Sequence, residues 1–587
     1  MNHIAAASEA VRTLILDALG RLVAEGAIPV EPLPDFIVEI PADRLHGDFA
    51  ANIAMVCAKP LRMPPRKIAE LIEGALDLGG SPFDRVEIAG PGFMNFYLGQ
   101  SWYDDVVKNV IAEKEAYGTT DTGRGKRVLV EFVSANPTGP MHVGNARGGA
   151  IGDCLASVLE AAGFQTEREF YINDAGNQIE KFGRSLSLRY MQLCSEKGQA
   201  IYKAAQSTEE VCKAIYGEDG NTPDFPMPED VYLGQDIIAH AKNYYDENGN
   251  ALESLSEEER RKALVAYALP KNIQGLKDDL AQYRIQYDTW FPESTLHADG
   301  SVQRIIEQLK ASGYTYEKDG ALWFEAEKLG ADKDFVLVRA NGIPTYVVPD
   351  IAYHYNKLVT RNFDRAIDIL GADHHGYVPR LKAALTALGV DASRLTVVLM
   401  QMVAVMRDGK PVKQSKRSGK ALTLVTLLED IPVDAARFFF NLREANSHFE
   451  FDLDLAVEKS SSNPVYYVQY AHARICSLIR NLEESGFPVP AQADLSVLSS
   501  TAERMLVRQL ALLPAETDAA AKQLDPSRLT KYSVDLAAQF HKFYDACKVR
   551  EAETDALRDA RLLLCSATRQ VLGNVLAMLK VTAPEKM

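Results

Sequence analysis

S-A-N-P-T-G-P-M-H-V-G-N-A-R-G-G-A, residues 134–150, joins a strand-like run to a helical one. The run before it, Val128-Leu129-Val130-Glu131-Phe132-Val133, is apolar and β-branched. The segment after it sets Ile151, Cys154, Leu155, Val158, Leu159 and Ala162 on one helical face and closes at Gly163. Strand-like runs recur at 167–172, 366–370 and 395–400, with a helical pattern at 381–388. Strands alternating with helices predict a parallel sheet with crossover helices, an open α/β domain. The charged, proline-interrupted stretch at about 190–270 reads as an insertion.

In such a sheet the ligand lies beyond the carboxyl ends of the strands, where this turn falls. Pro137 and Pro140 stiffen it, and Gly144 lets backbone come close to a flat ring. His142 and Asn145 direct hydrogen-bond donors to one spot at the positive end of the following helix. Donors held on a rigid loop suit charge that develops on a phosphate. A lone H-x-G turn is more often merely structural, but this one has a counterpart downstream. After an Asp408-Gly409 turn between two strand-like runs comes Val412-Lys413-Gln414-Ser415-Lys416-Arg417-Ser418-Gly419, a cationic segment suited to clamping a polyphosphate.

The rest of the chain frames this domain. At 587 residues it has room for about three or four domains. Residues 1–115 read as α+β: a helix at 4–22, then P-A-D-R-L-H-G-D-F-A-A-N-I-A-M, then strands at 86–88 and 93–97 around Gly90-Pro91-Gly92. Glu9, Arg12 and Asp17 inside the first segment mark an amphipathic helix rather than a secretory signal. From about 455 onward the pattern is helical, with Asn463-Pro464 as a helix start, which predicts a helix bundle. Seven cysteines without a C-x-x-C pair predict reduced, mostly buried thiols, a cytoplasmic setting and no structural zinc. The net charge of −16 opposes non-specific nucleic-acid binding yet permits an RNA partner on a local basic surface. No apolar run is long enough for a membrane span.

His142-Val143-Gly144-Asn145 and Lys413-Gln414-Ser415-Lys416-Arg417 together resemble the HIGH and KMSKS signatures of class I aminoacyl-tRNA synthetases. V-E-F-V-S-A-N-P-T-G-P-M-H-V-G-N-A-R, H-G-D-F-A-A-N, G-A-D-H-H-G-Y-V-P-R at 371–380, N-P-V-Y-Y-V-Q-Y-A-H-A-R at 463–474 and the terminal A-P-E-K-M narrow the resemblance to the arginyl-tRNA synthetase family. It runs from about residue 1 to 587. Two features stand out within it. Asn145 replaces the second histidine of HIGH, so a hydrogen-bond donor remains but never a cation. Lys416 is kept in a loop that is degenerate in many members.

The resemblance implies a Rossmann-like (HUP-type) catalytic domain at 116–455, an N-terminal module at 1–115 that touches the tRNA elbow, and an all-α anticodon-binding domain at 456–587. It implies ligation of arginine to tRNA(Arg) with ATP, Mg2+ accompanying the nucleotide, by a monomer with no membrane partner. His142, Asn145, Lys413 and Lys416 carry the catalytic roles. Pro137, Gly139, Gly144, Gly371, Asp373, Ser415 and Arg417 join them around ATP. A guanidinium is planar and permanently charged, so its pocket calls for fixed carboxylates. Glu131, Tyr346 and Asp350 match the family's side-chain pocket, and Asn136 the residue holding the α-amino end. Were 346–350 helical, Tyr346 and Asp350 would share a face, with Pro349 confined to the first turn. For tRNA, Tyr467, Tyr470 and Arg474 share a helical face, Phe540-His541-Lys542-Phe543-Tyr544 adds aromatics, and His46 and Asn52 lie in the N-terminal module. A pocket built for a forked cation rejects lysine through unpaired acceptors, so no editing domain is expected. Other readings are another class I synthetase, a synthetase-like RNA-binding protein without activity, or a small nucleotidyltransferase, which has no such C-terminal helix bundle.

Overall fold

β1 (Arg127–Glu131) is the middle strand of a five-stranded sheet in this computed structural model, which describes residues 2–29, 34–43, 46–216, 221–412 and 422–587. β2 (Gln165–Ile172) and then β3 (Thr289–Pro292) lie on one side. β4 (Arg365–Gly371) and then β5 (Leu395–Met400) lie on the other. All the pairings are parallel. Residues 128–131 are all buried, so both faces of β1 are covered, which is why that run is apolar rather than alternating. The chain leaves β1 for β2 on one side and later fills β4 on the other. The switch point therefore falls between β1 and β4, where Glu131 pairs in register with Asp368.

α1 (Val143–Ala161) follows the quoted turn and packs against the sheet through small residues. A Cβ on Gly152 would fall 2.2 Å from the Phe132 ring, so only glycine allows this approach. Polar groups inside α1 are paired: Arg437 donates to the Asp153 carboxylate at 2.5 Å, and Arg147 donates to the carbonyls of Gln401, Glu444 and Ser447.

Two excursions leave the sheet. Between β2 and β3 the helices Asn177–Cys194, Glu196–Ala204, Thr208–Tyr216, Gln235–Asn248 and Glu257–Gln282 enclose an apolar core of their own. The insertion expected at about 190–270 is thus wider, because its first and last helices are amphipathic and resemble sheet-packing helices in sequence. Between β3 and β4 come three antiparallel strands, Thr315–Lys318, Ala321–Phe324 and Phe335–Val338, then α2 (Val347–Tyr355). Those strands and β3 have four residues each, too few for an alternation pattern to register. The Asp408-Gly409 turn joins Val403–Arg407 to Lys410–Pro411 as expected, with both turn residues at positive φ.

The chain divides into two compact units. The sheet and its excursions form one, Gly123–Asn463 with Leu524–Ser527. The other combines Met1–Thr122 with Pro464–Gln523 and Arg528–Met587. In it, a four-stranded antiparallel sheet (Val38–Glu39, Phe49–Ala51, Phe93–Leu98, Phe83–Ala89 in spatial order) and the helices His3–Ala24, Pro65–Ala75 and Gln100–Glu113 join the C-terminal helices. The joints are specific: the Tyr117 hydroxyl donates to the Leu510 carbonyl at 3.1 Å, and the Asn574 amide donates to the carbonyls of Lys114 and Tyr117. Among the described residues no helix is long and apolar enough to cross a membrane.

Candidate active site

The chain turns sharply as β1 ends. Val133 has φ +69° and Ser134 φ +38°, and a β-branched residue at positive φ is strained backbone of the kind that persists where a site fixes it. The Ser134 hydroxyl holds the bend by donating to Glu131 Oε1 at 2.8 Å and accepting from the Tyr171 amide at 3.1 Å. Pro137 is buried, and its carbonyl accepts from the Asn272 amide at 3.0 Å, so the inserted helices brace the loop.

His142 caps α1. Its Nδ1 accepts from the Gly144 amide at 3.1 Å, while Asn145 Oδ1 accepts from the His142 amide at 3.1 Å, a reciprocal capping box. An accepting Nδ1 places the ring proton on Nε2. A Cβ on Gly144 would sit 2.9 Å from the His142 ring. The His142 imidazole is thus itself a flat ring packed against this glycine. Asn145 spends its oxygen on the cap and keeps its NH2 group as a donor, the property the sequence reading required of it.

Lys413, Ser415, Lys416 and Arg417 lie outside the described residues. The chain on either side of them is placed. Before the segment, the Val412 amide bonds to Val405. After it, Thr423 pairs with His142 as an isolated bridge, with Val143 N–H to Leu422 and Leu424 N–H to Met141. The chain from Leu422 to Leu424 thus lies against the capped turn.

Beside the turn, over the switch point, opens a cleft of about 1030 Å³ whose lining includes Glu131, Tyr346, Asp350, Asp373 and Tyr377. α2 supplies one wall. Pro349 falls in its first turn, where the missing N–H costs nothing. Tyr346, at the N-cap, is 73% exposed and stacks on Tyr377 with ring centroids 6.1 Å apart. The hydroxyl that reaches Asp350 belongs to Tyr377, which donates to Asp350 Oδ2 at 2.5 Å, rather than to Tyr346 as the four-residue spacing suggested. Asn136 stands 3.2 Å from Asn173, another lining residue. Asp373 lines the same cleft with an exposed carboxylate, and a Cβ on Gly371 would fall 2.4 Å from it.

Along the cleft floor runs a chain of ionic groups. His354 sits one turn after Asp350, and Lys357 lies in the π turn Asn356–Thr360 that continues α2. Lys357 Nζ contacts both Glu131 and Asp368, the latter at 2.8 Å. His354 Nε2 meets Asp368 Oδ2 at 2.6 Å, and its Nδ1 meets the Asp350 carbonyl at 2.8 Å and Oδ1 at 3.2 Å. Both ring nitrogens face acceptors only, so both carry protons and the ring is an imidazolium. Burial and the Lys357 charge would lower its pKa, but Asp350 and Asp368 outweigh them and push it up to about 10. Burial would likewise raise both aspartates, yet the cations beside them hold Asp350 and Asp368 below the ordinary carboxylate range. Glu131 goes the other way: burial, with the Asp368 charge beside it, outweighs Lys357 and His354 and raises it. Glu131, His354 and Asp368 are close enough together to chelate a metal ion, but the Lys357 ammonium already bridges the two carboxylates. Sequence reading missed His354, Lys357, Asp368 and Tyr377. The spacing of Asp350, His354 and Lys357 along one helical face was the signal available for two of them.

In the other unit, Tyr467 and Tyr470 both pack on His541, with centroids 4.9 and 6.1 Å away, and Arg474 lies 4.0 Å above the Tyr544 ring. Phe540 and Phe543 are fully buried, so the 540–544 aromatics divide between core and surface. Asn52 accepts from the Ile37 amide at 2.9 Å and Asp48 from the Leu98 amide at 2.6 Å while pairing with Arg508, so both hold the fold of their module. His46 is exposed.

The sheet and its switch-point site are those of a class I synthetase: residues 106–476 match the family model for the catalytic domain of class I (R) tRNA synthetases. The flanking segments match the arginyl tRNA synthetase N terminal domain at 9–98 and the DALR anticodon binding domain at 468–587. The chain is 50% identical to an arginine–tRNA ligase of Acetivibrio thermocellus over the full length of both. A putative arginyl-tRNA synthetase structure from Campylobacter jejuni is 31% identical with a TM-score of 0.72, covering 84% of this chain and all of that one. The Thermus thermophilus arginyl-tRNA synthetase shares the fold at 22% identity and a TM-score of 0.71, covering 97% of this chain and 99% of its own. The chain belongs to the arginyl-tRNA synthetase family.

Proposed function

We propose that this chain activates L-arginine with ATP and transfers it to the terminal adenosine of tRNA(Arg), releasing AMP and pyrophosphate. The observation that carries the reading is the Asp350 carboxylate, kept ionised and presented at the cleft beside the exposed Tyr346 ring. A permanently charged fork of donors is the ligand that such a fixed acceptor suits, and an aromatic face suits its flat cation. Glu131 adds a second carboxyl at the switch point, and Asn136 takes the α-amino end.

The arginine carboxylate attacks the α-phosphate of ATP, the bond to the β-phosphate oxygen breaks, and arginyl-adenylate and pyrophosphate form. His142, through Nε2–H, and Asn145, through its NH2, bind phosphate oxygens at the positive end of α1. Lys413 and Lys416 neutralise charge on the leaving pyrophosphate, with Ser415 and Arg417 beside them. The return of the chain at Leu422–Leu424 onto Met141–Val143, shortly after these residues in sequence, supports this. Pro137, Gly139 and Gly144 shape the nucleotide side, and Gly371 and Asp373 meet the ribose. Magnesium bound to the nucleotide would neutralise phosphate charge, whereas the Glu131–His354–Asp368 cluster is bridged by Lys357. The 2′-hydroxyl of the tRNA then attacks the activated carbonyl and displaces AMP. Tyr467, Tyr470 and Arg474 receive splayed anticodon bases, and the N-terminal module around His46 and Asn52 meets the tRNA elbow.

Pyrophosphate exchange in the presence of tRNA, run with each amino acid in turn, tests the reading. Exchange is expected with arginine, and exchange with another amino acid instead would overturn it. Asp350→Asn is expected to raise the KM for arginine by roughly 100-fold with the KM for ATP unchanged, as for loss of one partner of a desolvated charge pair.

A further inference from the structure

Asp350 is not a carboxylate standing alone in a pocket. One oxygen accepts from the Tyr377 hydroxyl at 2.5 Å; the other pairs at 3.2 Å with the His354 imidazolium, whose Nδ1–H donates to the Asp350 backbone carbonyl at 2.8 Å. These ties come from different directions. Tyr377 immediately precedes the helix Val378–Ala387, while His354 is on α2 itself and is anchored through Nε2 to Asp368 of β4. The carboxylate plane is thereby fixed relative to the sheet. Its remaining lone pairs face the cleft in one orientation.

We propose that His354 and Tyr377 are the positioning residues that let this site read a guanidinium rather than any cation, by locking the Asp350 carboxylate in one orientation and cancelling part of its charge. The inference rests on the assignment of Asp350 to arginine made above. The groups facing His354 are Asp350 and Lys357 on its own helix, Asp368 on β4, Glu131 across Lys357, and the Tyr353 ring at 5.4 Å. An imidazolium beside Asp350 weakens the bare electrostatic pull on a point-charge ammonium such as that of lysine. A guanidinium loses less, because its planar pair of donors meets oriented lone pairs that a rotating ammonium does not need. Selection thus depends on direction more than on field strength. The second tie keeps the carboxylate from swinging back onto the imidazolium.

The test uses the full chain with tRNA and compares L-arginine with L-lysine. His354→Gln removes the charge and one tie. It is expected to raise the KM for arginine at least about tenfold, leave the KM for ATP within about twofold, and lower the arginine-to-lysine ratio of kcat/KM by at least about tenfold. Tyr377→Phe removes only a hydroxyl and covers the case in which His354→Gln does not fold. It is expected to raise the KM for arginine about tenfold with unchanged kcat, since a hydrogen bond to a charged group is lost. An unchanged arginine KM and arginine-to-lysine ratio in a folded His354→Gln protein overturns the proposal, and so does an unchanged arginine KM in Tyr377→Phe. Asp350→Asn, measured alongside, separates the two levels. If it too leaves the arginine KM unchanged, the assignment of Asp350 fails. If it alone raises that KM, the assignment stands and the positioning role falls.

Discussion

Lys357 bears on stability as well as on the site. Its side chain is fully buried, and its two partners are nearly so, with side-chain exposures of 9% for Glu131 and 3% for Asp368. Lys357→Met keeps most of the volume and removes the only ammonium that the pair shares. Leaving a buried charge uncompensated costs about 3–5 kcal/mol, and the strained member relieves part of this by taking up a proton. Glu131 is that member, because burial already raises its pKa. For a unit of this size each kcal/mol moves the unfolding midpoint by roughly 2 °C, so the expected loss is about 6–10 °C. Calorimetry and urea titration of the single variants and of Lys357→Met/Glu131→Gln complete a double-mutant cycle. The double variant is expected to recover about 1–3 kcal/mol over Lys357→Met, because one of the stranded charges is gone. The deficit of Lys357→Met against the parent is also expected to shrink from pH 8 to pH 5 as Glu131 protonates. A loss under about 1 kcal/mol, or a double variant no better than the single, would refute the claim that these groups are desolvated together.

Four further outcomes are expected. Gly144→Ala pushes a Cβ into the His142 ring, so the rate of adenylate formation by pyrophosphate exchange should fall by about 100-fold while the arginine KM changes little. Gly152→Ala collides with the Phe132 ring and should cost about 3 kcal/mol or more in urea titration. His354 keeps in the folded state a proton that an unfolded histidine loses near its ordinary value. Its contribution is therefore complete below about pH 6.5 and fades as pH rises toward 10, by up to roughly 1.4 kcal/mol per pH unit, and His354→Gln should lack that slope between pH 7 and 10 in denaturation monitored by urea. Tyr346→Ala should raise the arginine KM by about 5–30-fold through loss of the exposed aromatic face, read by steady-state aminoacylation.

What could be read before any coordinates depended on how much chain each feature occupies. β1 and α1 span enough residues for their apolar patterns to declare themselves, and the Pro-Gly-His turn between them is a local motif whose neighbours in sequence are its neighbours in space. β3, a T-W-F-P run ended by proline, and the three short strands before α2 carry no such periodicity. Asp350 and Tyr346 were legible as pocket residues, but the hydroxyl that holds Asp350 comes from Tyr377, 27 residues away, and no spacing rule links them. Asp368 looked like part of an ordinary buried strand. Its role emerges only when β4 pairs with β1 and sets it opposite Glu131. The His142 tautomer was equally hidden, since it depends on which backbone amide the ring accepts from.

The pairing of the first 122 residues with helices that begin at Pro464 shapes how a ribosome must make this molecule. Trp102 and the 93–98 strand can assemble early, but Tyr117 and the carbonyl of Lys114 find their partners 393 and 460 residues further on, roughly 20–90 s later at ordinary elongation rates. Through that interval the nascent N-terminal module carries an unclosed apolar seam. The catalytic sheet, finished in between, folds while its elder sibling is still waiting.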